Sequence, residues 1–276
     1  MMLGRWLRNL TGGPRAAGRR EIADHLWQHT LSHYPFLQQG DASHTQTLRA
    51  LTRAFLDTKE FHGANGLTIT DAMAVTIAAQ ACLPVLQLHA PLRGIDWYDD
   101  FVGIVVHPGS VLARRESTDE LGVVHEYDEV LSGEAMQDGP VMLSWQDVAE
   151  SGASAQDGYN VVIHEFVHKI DMRDGMPDGC PPLPAGFIGT TSAKAARDAW
   201  SGTLQQHYLA FCDQLSLSER FGAPQPWLDP YAATSPDEFF AVTSEAYFVN
   251  RARFTADFAG LLLLYDAFFR SAAPTD

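Results

Sequence analysis

One stretch, residues 158–171, constrains this chain most: Gly-Tyr-Asn-Val-Val-Ile-His-Glu-Phe-Val-His-Lys-Ile-Asp. It contains His-Glu-x-x-His, in which His164 and His168 are four residues apart and so share one face of an α-helix. Their two imidazoles can therefore point at one metal ion. Glu165 lies about 100° round the helix from His164, so its carboxylate can contact a water on that metal without being a ligand. This pattern is typical of zinc hydrolases.

The hydrophobic pattern of the same stretch also predicts a helix. Apolar side chains recur at helical spacing on one side: Val162, Ile163, Phe166, Val167 and Ile170. Polar side chains share the other side: Asn160, His164, His168 and Asp171. Ser154 or Asp157 is the expected N-terminal cap, and Gly175 and Pro177 lie where helices end. We expect one face to pack into a core and the other to carry chemistry; a merely solvated histidine pair is the alternative.

Composition narrows the class of protein. The formal net charge of −15 over 276 residues argues against nucleic acid as a direct ligand, because phosphate binding needs clustered Lys and Arg. The three cysteines are far apart, which indicates neither a disulfide framework nor a thiolate metal site and fits a reducing cytoplasm. The apolar stretches 72–89 and 258–269 are too interrupted or too short to span a bilayer. We therefore expect a soluble, cytoplasmic protein without a transmembrane segment.

The chain is predicted to consist of a tail and one domain. Residues 1–20 carry only arginine as charged side chains and several glycines, so we expect a flexible basic tail. No linker follows, and residues 21–276 are expected to form a single domain. Helices are predicted near residues 27–36, 48–56, 68–80 and 192–217, and strands over 101–107, 120–131 and 139–145. His25, His29 and His33 repeat every four residues without an acid or cysteine at ligand spacing, which favours a solvated face.

The predicted strand at residues 139–145 comes shortly before the histidine helix. Pro140 cannot donate a ladder hydrogen bond, which favours a position at the edge of a sheet. An edge strand beside the site could hold an extended peptide by backbone hydrogen bonds. An interior strand that begins at Pro140 is an equal alternative.

A third protein ligand is needed, because catalytic zinc usually takes three protein groups and a water. A second helix is predicted to begin at Ser235, and Glu238 and Glu245 share one face of it because they are seven residues apart. Either carboxylate could reach the metal. Glu238 has an alternative role, since Ser235 and Glu238 have the spacing of a capping box. Asp171 is a third candidate, as a ligand or as an outer acceptor that orients a histidine.

Four segments together carry a family resemblance. They are Cys82-Leu83-Pro84-Val85-Leu86, Gly139-Pro140-Val141, residues 158–171, and residues 231–245 with Tyr231-Ala232-Ala233, Pro236-Asp237-Glu238-Phe239-Phe240-Ala241-Val242 and Ser244-Glu245. In these segments the chain resembles the Mlc titration factor A family of zinc peptidases, from about residue 20 to about residue 270. That family is similar in its catalytic core to the anthrax lethal factor protease domain, and so to the gluzincins, which take a Glu ligand from a second helix.

The resemblance implies a fold and a set of site residues. The fold would be α+β, a mostly helical zincin-like metallopeptidase core with a small mixed sheet beside the His-Glu-x-x-His helix. Glu245 would lie outside the ligand shell. The implied site consists of the Zn²⁺ ligands His164, His168 and Glu238, the catalytic base Glu165, and Tyr231, which would assist the transition state.

The predicted function is zinc-dependent hydrolysis of peptide bonds by a water that Glu165 activates. The family is also associated with a glucose-responsive repressor, so the resemblance implies an Mlc-like transcription repressor as a partner besides the peptide substrate. The alternative function is a sequestering partner of such a repressor, with secondary peptidase activity. A purely structural zinc site is less compatible with a glutamate beside an open coordination position.

Overall fold

The computed structural model describes residues 21–88, 90–118, 124–175 and 177–270, and the predicted basic tail lies outside these ranges. Their helices are α1 (Asp24–His33), α2 (Ala42–Thr58), α3 (Asp71–Cys82), α4 (Trp145–Ser154), α5 (Val161–Asp171), α6 (Ala193–Phe221), α7 (Pro236–Val249), α8 (Arg251–Asp257) and α9 (Ala259–Phe269). Their strands are β1 (Glu60–Gly63), β2 (Gly103–His107), β3 (Val111–Thr118), β4 (Val124–Leu131), β5 (Gly133–Ala135) and β6 (Val141–Ser144). A mostly helical chain with a small mixed sheet confirms the expected α+β class.

The larger sheet has four strands in the order β1-β2-β6-β5. Strands β1, β2 and β6 are parallel, whereas β5 pairs antiparallel with β6 and places Gly133 opposite Leu143. Strand β5 is therefore one edge of this sheet. Strands β3 and β4 form a separate antiparallel pair that leads directly into β5.

Strand β6 corresponds to the predicted strand at residues 139–145, and it is interior. It lies between β2 and β5, so the prediction of an edge position was wrong and the interior alternative is confirmed. Pro140 precedes the first residue of β6, in the turn where Met136 N donates to Pro140 O at 3.2 Å. Its missing N–H therefore removes no ladder hydrogen bond. The edge beside the histidine helix is β5, whose three residues were not predicted as a strand; Ser132-Gly133 is typical of a turn, but β5 begins at Gly133.

The other predicted elements are present with shifted ends. The first helix stops at His33, and Phe36 lies in a separate 3₁₀ turn. The predicted strand from residue 120 is observed from Val124, because residues 119–123 lie outside the described ranges. Strand β1 was not predicted, since only Phe61 of its four residues is buried and no alternation is visible. The three histidines of α1 are exposed, as expected.

Helix α3 is buried along almost its whole length. All of its residues from Met73 to Cys82 are buried, and the Thr70 side chain accepts a hydrogen bond from Met73 N at 3.2 Å as its cap. The apolar stretch that begins at residue 72 is therefore a core helix. Within the described ranges, every helix is too short or too polar to cross a membrane.

Helix α5, which carries the two histidines, is capped by Asn160. Its side chain accepts from Ile163 N at 2.9 Å, so the prediction of Ser154 or Asp157 as the cap was wrong. Ser154 instead ends α4, and Asp157 belongs to the 3₁₀ turn between the two helices. Every residue of α5 except His164 is buried, because neighbouring elements cover the polar side as well as the apolar one.

Helices α5 and α7 are joined at both ends and run in opposite directions. At the start of α5, Asn160 N donates to the Glu245 carboxylate in α7. At its end, Asp171 Oδ2 accepts from Gly179 N at 2.8 Å. Gly179 has a φ of +77° and lies so close to the start of α7 that an added Cβ would be 2.7 Å from Pro236 O. The two joints fix how α7 faces the histidines.

Candidate metal centre

Helices α5 and α7 bring three predicted ligand side chains together. His164 Nε2 lies 3.1 Å from His168 Nε2 and 3.1 Å from Glu238 Oε2, and His168 Nε2 lies 3.2 Å from the same oxygen. The two imidazoles come from one helix turn, whereas the carboxylate crosses from the first turn of α7. Within the described ranges, these three residues form the group of His, Cys, Asp and Glu side chains that can hold a metal ion.

The spacing of the three donor atoms fits a divalent cation. Zinc binds nitrogen and oxygen ligands at about 2.0–2.2 Å, which separates neighbouring ligands of a tetrahedron by roughly 3.3–3.5 Å. The observed triangle, with edges of 3.1–3.2 Å, is close to that size. Three electronegative atoms at such distances repel one another unless a cation or shared protons lie between them. The donor set and its geometry therefore suit a metal.

Glu245 fixes the orientation of the first histidine. Its Oε1 lies 2.7 Å from His164 Nδ1, and its Oε2 accepts from Asn160 N. The Nδ1–H of His164 therefore donates to Glu245, which leaves the lone pair of Nε2 for a metal. Burial alone would lower the pKa of His164, but in the absence of a metal the hydrogen bonds to Glu238 and Glu245 outweigh it and hold that pKa well above its usual range. A metal at Nε2 would therefore take the place of the proton that this nitrogen shares with Glu238. Glu245 thus lies behind a histidine, on the side away from the donor triangle.

Glu238 contacts the histidines and does not form the capping box that its spacing allowed. Ser235 precedes α7 in the capping position but makes no side-chain cap hydrogen bond. The Tyr231 hydroxyl, 39% exposed as a residue, donates to Glu238 Oε1 at 3.1 Å. Burial raises the pKa of Glu238, but the hydrogen bonds from both histidines outweigh it and hold the pKa below the usual range. The carboxylate therefore stays ionised and available as a ligand.

Glu165 lies beside the triangle but is not part of it. It is 5% exposed, and its carboxyl group packs against Gly133 of the edge strand β5. Burial raises the pKa of Glu165 to about 7, an effect that the two nearby histidines partly offset. A carboxyl group that titrates near neutral pH can both accept and return a proton.

A cleft of about 280 Å³ opens over these residues. His164, Glu165, Glu245 and Tyr231 line one part of it. Other residues of the wall were not predicted as site residues, among them Ser132, Gly133, Tyr159 and Asp229. Tyr159 belongs to the Gly-Tyr-Asn segment that precedes the histidine helix, and Asp229 lies two residues before Tyr231, so both of them had a signal in the sequence.

Asp171 has a different place from the one its sequence position suggested. Its carboxylate is fully buried and accepts from Gly179 N, in the loop that leads towards α6. Trp200 Nε1 donates to Gly179 O at 2.6 Å, so the same glycine is held on both of its backbone polar groups. Asp171 therefore connects the end of α5 to the start of α7.

Comparisons with known proteins agree with this geometry. The family model described as glucose-regulated metallo-peptidase M90 matches residues 6–270. Mlc titration factor A of Salmonella arizonae is 32% identical over 249 residues, which cover 90% of this chain and 91% of that protein. Mlc titration factor A is 32% identical in Salmonella choleraesuis and 31% in Klebsiella pneumoniae, in each case over 90% of this chain and 86% of the relative.

The matches confirm the resemblance found in the four sequence segments. The family model begins at residue 6, so it also includes most of the segment that we had expected to lie outside the resemblance. A metallo-peptidase family implies a divalent metal, and among the described residues the His164–His168–Glu238 triangle is a group that could hold one. From the extent of the family match and the identity to its relatives, the chain belongs to the glucose-regulated metallo-peptidase M90 family.

Proposed function

We propose that this protein is a zinc-dependent peptidase with a zincin-like core of the gluzincin type. The observation that carries the proposal is the convergence of His164, His168 and Glu238 to within 3.2 Å of one another, with Glu165 beside them in an open cleft. A structural zinc site would normally be closed by four protein ligands. Three ligands, a neighbouring carboxyl group and an accessible cleft suit catalysis instead.

His164, His168 and Glu238 would hold the zinc. When bound, zinc supplies a Lewis acid that lowers the pKa of water to about 7 and polarises a carbonyl group. Glu245 keeps His164 in the tautomer that presents Nε2, and Asn160 N holds the second oxygen of Glu245 in place. The orientation of the His164 side chain for metal binding therefore depends on a contact with α7.

Glu165 would act as the general base and then as the general acid. Its pKa of about 7, which results from burial, suits transfer of a proton from water to its carboxylate. The same carboxyl group then returns the proton to the leaving amine nitrogen. The Tyr231 hydroxyl lies at the cleft and, when released from Glu238 Oε1, can donate to the developing oxyanion.

The edge strand β5 is the part of the sheet that an extended peptide can join. Of the described strands in this sheet, it is the edge strand that borders the cleft. Backbone hydrogen bonds to such an edge hold a peptide without selecting its sequence. Peptides are therefore the substrate class that we propose, with β5 in the role that the sequence analysis gave to residues 139–145.

The decisive experiment is metal analysis combined with hydrolysis of a peptide library, for the wild type and Glu165→Gln. The variant should retain zinc, because Glu165 is outside the donor triangle, and its kcat should fall by about 10²- to 10⁴-fold, the usual contribution of a general base. Hydrolysis by Glu165→Gln at the wild-type rate would exclude the proposed mechanism. So would a wild-type protein that hydrolyses peptides equally well after its metal has been removed.

A second candidate function is binding of an Mlc-like transcription repressor, because the relatives bear the name Mlc titration factor A. Such a partner would place the protein in the cytoplasm, as the free, buried Cys82 and Cys180 also suggest. Peptidase assays with and without purified repressor, beside a direct binding measurement with Glu165→Gln, separate the two functions. Binding by the inactive variant would assign sequestration to a surface independent of the chemistry.

A further inference from the structure

We propose that Gly133 is a positioning residue for Glu165. Glycine has no side chain, and the space that a side chain would take at this point of β5 is occupied by the carboxyl group of the glutamate. The inference deepens the proposed function and rests on Glu165 as the base. It assigns a role to a residue of the edge strand that the histidine motif does not contain.

The contact involves the whole carboxyl group. A Cβ built on Gly133 would lie 2.7 Å from Glu165 Cγ and 2.8 Å from its Cδ, and closer still to Oε1. Cβ atoms in proteins do not approach other heavy atoms below 3.0 Å. Alanine at position 133 would therefore occupy the volume in which the base now lies.

Backbone conformation does not explain the glycine. Gly133 is absent from the glycines with positive φ, so the strand conformation there is open to any residue. The nearest atoms to an added Cβ belong to one side chain and not to a neighbouring backbone segment. Space for Glu165 is thus the specific property that glycine supplies.

Strand β5 is held at both of its ends and cannot easily move away from α5. Ser144 N donates to Ser132 O at 2.7 Å, directly before Gly133. At the other end of the strand, Lys169 Nζ of α5 donates to Met136 O at 2.9 Å.

The lysine that makes this last contact follows His168 directly. It is fully buried and forms an ion pair with Asp100, with Nζ and Oδ2 3.0 Å apart. Helix α5 and the turn after β5 are therefore tied together beside the site. An added methyl group at Gly133 has to be accommodated by rotation of the Glu165 side chain, which is the flexible partner in the contact. The fold should survive while the carboxyl group is displaced.

The test compares Gly133→Ala with Gly103→Ala, a glycine of β2 whose added Cβ would meet Pro140 Cβ at an ordinary 3.4 Å. Gly133→Ala should lose about 10- to 100-fold in kcat, as expected for a base displaced by about 1 Å. Its KM should change less than about threefold, and zinc content and melting temperature should match those of Gly103→Ala, which should retain wild-type kcat.

A double-mutant cycle with Glu165→Asp separates positioning from a general effect on the strand. Aspartate is shorter by one methylene group, so its carboxyl group no longer lies against Gly133, and Gly133→Ala should cost less than about threefold in that background. Wild-type kcat for Gly133→Ala, an equal loss in both backgrounds, or loss of zinc or of folding would each overturn the inference. An active Glu165→Gln would instead reject the proposed function, independently of Gly133.

Discussion

Helices α5 and α7 contribute to the same site by different routes. The three site residues of α5 lie within five positions, so the helical repeat alone brings His164 and His168 onto one face. Helix α7 contributes Glu238 and Glu245, which contact opposite nitrogens of the His164 ring at 3.1 and 2.7 Å. The two carboxylates share a residue type and a helix face, yet one joins the donor triangle and the other lies behind a histidine of that triangle. Helical spacing indicates which side chains can share one site, whereas packing between the two helices determines which atoms each side chain contacts.

The test with the largest expected effect replaces each of the two glutamates of α7 with glutamine, in separate variants. Glu238→Gln removes the charge of the proposed carboxylate ligand and should weaken zinc affinity by more than 100-fold. Glu245→Gln removes only the group that orients His164, for which a loss of about 10- to 100-fold is typical. Competition against a metal chelator measures both affinities. A reversed order would mean that Glu245, and not Glu238, binds the metal.

The second test concerns Tyr231, whose hydroxyl contacts Glu238 of α7 and whose ring lies 6.1 Å from the His164 ring of α5. Tyr231→Phe removes the hydroxyl that donates to Glu238 Oε1, and we expect kcat to fall on the order of 100-fold through loss of an oxyanion donor. Zinc affinity should change much less than in Glu238→Gln, because Oε2 is the oxygen that faces the histidines. Steady-state kinetics beside zinc titration give both values. Wild-type kcat would restrict the tyrosine to orienting Glu238.

The test with the smallest expected effect concerns Asp171, whose hydrogen bond with Gly179 connects the end of α5 to the start of α7. Burial raises the pKa of Asp171 from 3.8 to about 7, against the opposing effect of the hydrogen bond from Gly179 N. The folded state therefore binds this proton more tightly than the unfolded state. Its stabilising contribution is complete below about pH 4 and is lost as the pH rises towards 7.

In Asp171→Asn this pH dependence should disappear. Between pH 4 and 7 the free energy of unfolding of the metal-free wild type should fall relative to the variant, by at most about 1.4 kcal/mol per pH unit. Denaturant unfolding at several pH values measures the difference, and Asp213→Asn on the exposed side of α6 is the matched control. Parallel pH profiles for the wild type and Asp171→Asn would show that this carboxyl group is not the one responsible.

The predictions that were wrong concern positions at which two secondary-structure elements meet. Ser154 and Asp157 were as good caps for α5 as Asn160 by residue type, and the choice depended on where α4 ends. Pro140 was compatible with an edge or an interior strand. The neighbouring strand β5 has only three residues, which are too few to show a strand pattern in the sequence, so its pairing with β6 could not be predicted. The contact between Gly133 and Glu165 was not predicted, since it involves a side chain 32 positions later in the chain.

By itself, the sequence determined the histidine helix, the apolar helices of the core, the acid-bearing helix α7 and the absence of a spanning segment among the described residues. These properties follow from periodicity and composition within single segments, which act over one or two helix turns. The residue pattern alone left Glu238, Glu245 and Asp171 open, and only the family resemblance favoured Glu238. The tertiary structure decided that Glu238 contacts both histidines, that Glu245 lies behind one of them, and that Gly133 contacts Glu165. Such choices depend on contacts between residues distant in the chain, where space and hydrogen-bond partners are set by packing and not by local spacing.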